Sequence, residues 1–179
     1  MSTVDEPDGG REPTKANDEV RAAMVAHHAG LVAGLDELVG RAEEEVASGS
    51  DAGGELKAVV SYLDREVLPH AAAEEASLYG LARRAGLDPL VQAMVGEHAW
   101  LRGQTAALVG KVGVRGVSQA RALAAVFALH AGKENDLILP ELAARPEVDL
   151  GAVLSAMQSQ LSQGPEGRGT PREAARSSS

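Results

Sequence analysis

Two stretches of this sequence pair a histidine with a glutamate four positions later: His70 with Glu74 in LPHAAAEEASLY, and His130 with Glu134 in LHAGKENDLILPEL. On an α-helix such positions project from one face, one turn apart. An imidazole and a carboxylate placed this way can hold a metal ion from two directions. Two more histidines, His28 in MVAHH and His98 in MVGEHAWLR, stand within apolar patterns of their own. A buried polar group left without a partner costs roughly 2–7 kcal/mol. If His28, His70, Glu74, His98, His130 and Glu134 all face one interior, they need a common partner, and a pair of metal ions is the simplest. Imidazole with bridging carboxylate suits iron well, and manganese or zinc less distinctively. The competing reading is a metal-free helical bundle whose core histidines are merely hydrogen-bonded.

The elements that would position these groups are helices. Asn17 is placed to cap a first helix running to about Ala47, with Met24, His28, Leu31, Leu35 and Leu38 recurring as one apolar seam. After the loop SGSDAGG, a second helix begins near Glu55, with the seam Leu56, Val60, Leu63, Val67, His70, Glu74 and Leu78. Pro69 lies inside it and predicts a kink just before His70, while Gly80 and Gly86 offer two stopping points. Asp88-Pro89 restarts the chain as a cap followed by proline, and the third seam reads Val91, Met94, His98, Leu101, Thr105, Leu108. GKVGVRG breaks it. A fourth helix from near Ser118 carries Leu123, Val126, His130, Glu134 and Leu137, with Pro140 marking its approaching end. Each of the four helices thus places a histidine in its own seam.

A short amphipathic helix follows within residues 146–162, built on Leu150, Val153, Leu154, Met157 and Leu161. Residues 1–16 and 163–179 are polar, rich in Gly and Pro, and predicted disordered. The fold class is therefore all-α: an up-and-down antiparallel four-helix bundle over residues 17–145, a short extra C-terminal helix, and two disordered tails. Composition agrees, since aromatics make up only 2% of the chain while Ala, Leu, Val and Glu abound. The chain has no cysteine, which excludes disulfides, thiolate zinc sites and iron–sulfur clusters. A net charge of −9 argues against a nucleic-acid surface. The polar N-terminus and the lack of a long apolar run predict a soluble cytoplasmic protein that touches no membrane.

The combined pattern H…HxxxE…H…HxxxE, one set per helix in this order, resembles the haemerythrin-like family, also called the HHE cation-binding domain. The resemblance covers about residues 17–145 and rests on MVAHH, LPHAAAEEASLY, MVGEHAWLR and LHAGKENDLILPEL together. It implies an up-and-down bundle around a non-haem di-iron centre. By this resemblance His28 and His70 would bind one iron, His98 and His130 the other, and Glu74 and Glu134 would bridge the two ions. Two positions depart from the oxygen-carrying haemerythrins. Arg102 stands where they have a second third-helix histidine, and Asn135 where they have an aspartate, with Glu134 taking that role as in many bacterial relatives. Four histidines instead of five leave more coordination positions open to small molecules, by a logic established for zinc and extended here to iron. The ferritin-like alternative uses Glu-x-x-His, and no histidine here has a glutamate three residues before it.

Several neighbours carry two readings. His27 is the alternative to His28 should the first helix be rotated by about 100°. Glu75 and Glu97 are either salt-bridging residues or acceptors for the free N–H of a ligating histidine. Arg102 either extends to solvent or turns its charge to the open iron position, and Tyr62 is either packing or a phenolate ligand; these two are the candidate catalytic residues. Phe127, one turn before His130, would keep the pocket dry, and Trp100 points away from its seam. The function expected from the resemblance is binding of O2, peroxide (H2O2) or NO at an open iron, with peroxide decomposition or stress defence favoured. The alternative is a non-catalytic iron- or oxygen-dependent sensor or carrier. The expected partners are these small molecules alone, with a monomer or weak homo-oligomer as the assembly.

Overall fold

The computed structural model of the chain describes residues 13–162. Helix α1 spans Pro13–Ala47. The second rod is composite: α2 (Gly53–Tyr62), a π-helical turn (Leu63–Val67), then α3 (Leu68–Ala76). It breaks at Ser77 (φ −124°, ψ −63°) and continues as α4 (Leu78–Arg84). The third rod is α5 (Asp88–Leu108). The fourth is α6 (Gly113–Lys133), a second π turn (Glu134–Ile138) and α7 (Leu139–Ala143). Helix α8 (Leu150–Ser162) is the additional C-terminal element. Helix α1 packs on α2 and α6, and α5 packs on α3 and α6, which closes a four-sided bundle. There is no strand among the described residues, and the all-α bundle is as expected.

Both π turns have a proline as their sequel. A proline ring collides with the carbonyl four residues back, which for Pro69 is that of Arg65 and for Pro140 that of Asp136. In each turn the bond skips one residue: Leu68 N–H donates to Leu63 O, and Leu139 N–H donates to Glu134 O. The wider turn absorbs the proline without breaking the rod, so the kink expected before His70 takes the form of a π turn. It also explains a seam error. Leu137, expected inside, is 51% exposed, and Ile138 at 0% takes the core position. Val39 and Val59 likewise fill places expected of Leu38 and Val60.

The helix starts differ from expectation at four points. Helix α1 is already helical at Pro13, so residues 13–16 are not a disordered tail; residues 1–12 and the predicted tail 163–179 lie outside the described residues. Asn17 is therefore not the cap of α1. Its buried side chain reaches across to the chain entering α8, donating from Nδ2 to Val148 O (2.7 Å) and accepting at Oδ1 from Leu150 N–H (3.1 Å). Helix α5 includes Asp88 as its first residue, and Asp88 makes no capping bond, although Pro89 does sit in the first turn. Helix α6 starts at Gly113, five residues before Ser118. Gly113 takes φ +63°, which only glycine adopts freely, and its N–H donates to Asp51 O at the neighbouring loop. Of the two glycines proposed as stops, Gly80 lies inside α4 and Gly86 ends it at φ +89°.

The core is divided. One apolar cluster gathers Leu35, Leu56, Leu63, Leu101, Leu108, Leu123 and Phe127. The other gathers Met24, Leu78, Met94, Ile138, Leu139, Leu142, Leu150 and Met157. Fully burying each large apolar side chain contributes about 1.5–3 kcal/mol. On every rod the histidine lies between the two clusters: His28 between Met24 and Leu31, His98 between Met94 and Leu101. A polar layer is thereby held between two apolar cores.

Candidate metal centre

That layer contains the only charged or imidazole side chains buried among the described residues: His28, His70, Glu74, His98, His130 and Glu134, each between 1% and 4% exposed. All six sequence-predicted ligands therefore meet. Glu74 lies at the centre. Its Oε1 is 3.2 Å from His28 Nε2 and 2.8 Å from His70 Nε2, while its Oε2 is 3.6 Å from His98 Nε2. Glu134 spans the same divide, with Oε2 3.7 Å from His28 Nε2 and Oε1 3.6 Å from His130 Nε2. His98 Nε2 and His130 Nε2 are 2.9 Å apart. Two overlapping groups can each surround a cation: His28, His70 and Glu74 on one side, Glu74, His98 and His130 on the other.

The outer ring nitrogens show which atoms are free to bind. His98 Nδ1 meets Glu75 Oε1 at 2.9 Å, and His130 Nδ1 meets Glu97 Oε2 at 2.9 Å. A carboxylate only accepts, so both Nδ1 atoms carry the proton. The facing Nε2 atoms are then two lone pairs 2.9 Å apart, a contact that only a proton or a cation between them can make favourable. His28 Nδ1 donates to Asn135 Oδ1 at 2.7 Å, which likewise turns its Nε2 inward as a donor atom. Neither nitrogen of His70 has a hydrogen-bond partner among the described residues; Nε2 is near Glu74 Oε1 but not aligned for a hydrogen bond. A buried imidazole without partners, beside a carboxylate aimed at the same point, fits a metal ion well.

Electrostatics divide the two carboxylates. Burial works against ionised Glu74, yet His70 and His28 outweigh it and hold its pKa well below the usual carboxylate range. Burial, and then the negative charge of Glu74, push Glu134 up. Burial pulls His28 and His130 down, but Glu74 beside the first and Glu134 beside the second more than reverse it, leaving both above the ordinary imidazole value. His98 is lowered by burial and then by His130.

Compared with known protein families, residues 20–142 match the model of the Hemerythrin HHE cation binding domain. The chain belongs to the haemerythrin HHE cation-binding family. Comparison with curated proteins and with solved structures finds no match. The metal-binding character of this haemerythrin-family chain thus stands on the family match and on the paired His/Glu groups.

The remaining candidates separate clearly. His27 faces outward, its ring edge-on to His70 with centroids 4.9 Å apart, so α1 turns His28 inward. Arg102 does not face the layer; it is 44% exposed and pairs through Nη1 with Glu75 Oε1 at 3.1 Å. Tyr62 is also outside it, its hydroxyl donating to Leu31 O at 3.2 Å and its ring tip filling the space beside Gly34. Phe127 is buried in the adjoining core, and Trp100 is 39% exposed. Glu75 and Glu97 fulfil both of their readings at once, accepting from a histidine and pairing with Arg102 and Lys133 respectively.

The sequence reading missed Tyr79. It is 1% exposed, stacks on His98 (centroids 5.6 Å, interplanar 10°) and donates its hydroxyl to Glu134 Oε1 at 2.6 Å. Its oxygen is 3.4 Å from His130 Nε2. Burial, then Glu134 and Glu74, raise its pKa, so the phenol stays protonated in the metal-free layer. The helical period carried through position 77 does not place it, because the break at Ser77 resets the register.

Proposed function

We propose that this protein is a non-haem di-iron member of its family that binds dioxygen, hydrogen peroxide or nitric oxide and decomposes peroxide, in the cytoplasm, as a defence against oxidative or nitrosative stress. The observation that carries the metal reading is the approach of His98 Nε2 and His130 Nε2 to 2.9 Å with both outer nitrogens already committed to carboxylates. In this reading His28 and His70 hold one ion, His98 and His130 the other, and Glu74 and Glu134 lie between them, as their distances allow. Two iron ions in such a donor set supply a two-electron redox centre with coordination positions left for a small molecule.

The chain's own residues do the rest. Glu75, Glu97 and Asn135 orient three of the imidazoles. The apolar clusters on either side shield the layer from bulk water. Tyr79 holds a proton at its phenolic oxygen, aimed at Glu134 Oε1. Disproportionation of two peroxides to water and oxygen balances its own protons, and Tyr79 supplies an O–H that lines the layer and can hydrogen-bond a guest there.

The test is peroxide turnover by protein produced in iron-supplied medium, with oxygen release, metal content and visible spectrum followed together. The reading predicts oxygen release that a Glu74→Ala variant abolishes along with the charge-transfer bands. Less than about one iron per chain would refute the di-iron claim. Iron present but inert to peroxide would refute the catalytic reading and favour a carrier or sensor.

A further inference from the structure

We infer that the two halves of the layer are unequal: the position between His98 and His130 takes the first metal ion and holds it more tightly, while the His28–His70 position is the exchangeable one. This rests on the di-iron reading above and adds an order of loading to it.

The asymmetry lies in what stands behind each imidazole. Behind His98 is Glu75, itself fixed by Arg102; behind His130 is Glu97, itself fixed by Lys133. The two arrangements are copies of one device. A carboxylate on the neighbouring rod accepts the Nδ1 proton, and a cation one turn further along the histidine's own helix pins that carboxylate. Behind His28 stands only the neutral amide of Asn135. Behind His70 no hydrogen-bond partner stands among the described residues: its Nδ1 is buried and unpaired there, and the ring of His27 meets it edge-on.

A carboxylate behind an imidazole does two things. It fixes the tautomer and ring angle before metal arrives, and it increases the electron density at Nε2. An amide supplies orientation without charge. A bare Nδ1 supplies neither, so His70 must be ordered by the metal itself, which subtracts from affinity. The bridging carboxylates do not offset this difference, because Glu74 and Glu134 each offer one oxygen to either side.

The experiment is an anaerobic titration of the metal-free full-length chain with Fe(II) at buffered free-metal levels, counting bound ions by native mass spectrometry. A one-ion species should dominate at the midpoint, with two affinities at least about tenfold apart. Glu97→Gln should weaken the tighter affinity by roughly 10- to 100-fold and leave the weaker unchanged. Lys133→Ala, at a half-exposed residue, should weaken the same affinity to a smaller extent and guards against a folding defect in the first variant. Asn135→Ala should move only the weaker affinity. Helical circular dichroism of each metal-free variant checks the fold. Joint uptake of both ions with no one-ion species, or a loss at the weaker affinity on Glu97→Gln, would overturn the inference while leaving the di-iron reading intact. Failure to bind any Fe(II) would overturn both.

Discussion

The four histidines of the layer were legible because each sits in an apolar seam, and a 3.6-residue period fixes which side chains share a face. Their supports were less so. Glu75 and Glu97 adjoin Glu74 and His98 in sequence, so the period of their own helix sends them away from the layer; only the neighbouring rod reveals that each meets a histidine from outside. Arg102 could be located but not aimed, and it is Glu75 that claims its charge. Tyr79 is the sharpest case, hidden by the break at Ser77 yet bonded to Glu134. Tyr79→Phe removes one partner of a buried carboxyl group and should destabilise the metal-free chain by about 1–3 kcal/mol. Urea unfolding in the presence of a chelator measures this, and an unchanged midpoint would mean the bond carries no net stability.

At the scale of elements, the two Leu-Pro pairs were visible as punctuation, but the choice between a kink and a π turn was not. That choice depends on whether the rod must stay packed on both sides of the proline, which is a tertiary matter. Its consequence is the exchange of Leu137 for Ile138 as the core residue. Asn17 shows the same limit. Local rules made it a cap, yet the chain is helical before it, and its amide bridges a distant segment by bonds to Val148 O and Leu150 N–H. Asn17→Ala should leave both groups unpaired at a cost of roughly 1–3 kcal/mol, loosening α8 while the rest of the bundle holds. Hydrogen exchange at the Leu150 amide reads this directly: acceleration there, without acceleration at His98 or His130, is the expected result.

At the scale of the molecule, a stable fold has been built around a layer that is costly without its guest. No helix among the described residues is long and apolar enough to cross a membrane, and the rods owe their placement to the two flanking cores. Because binding and folding share this layer, metal removal should lower the unfolding temperature. At free metal a hundredfold above Kd, each occupied position adds about 2.7 kcal/mol, which calorimetry with and without chelator will detect. Protons compete for the same atoms. His28 and His130 are held above the ordinary imidazole value and Glu134 above the ordinary carboxylate value, so a cation bound there displaces whatever protons they carry. Metal affinity should therefore fall as pH drops through the imidazole range, and the heat of binding should change with the ionisation enthalpy of the buffer. An affinity independent of pH would show that these groups do not supply the ligands.

The most direct test of the central claim is anomalous diffraction at the iron edge from crystals of iron-loaded protein. The account predicts two peaks inside the bundle, one beside His28 and His70 and one beside His98 and His130, with Glu74 between them. Absence of any peak in this layer, or a single peak elsewhere on the chain, would contradict it.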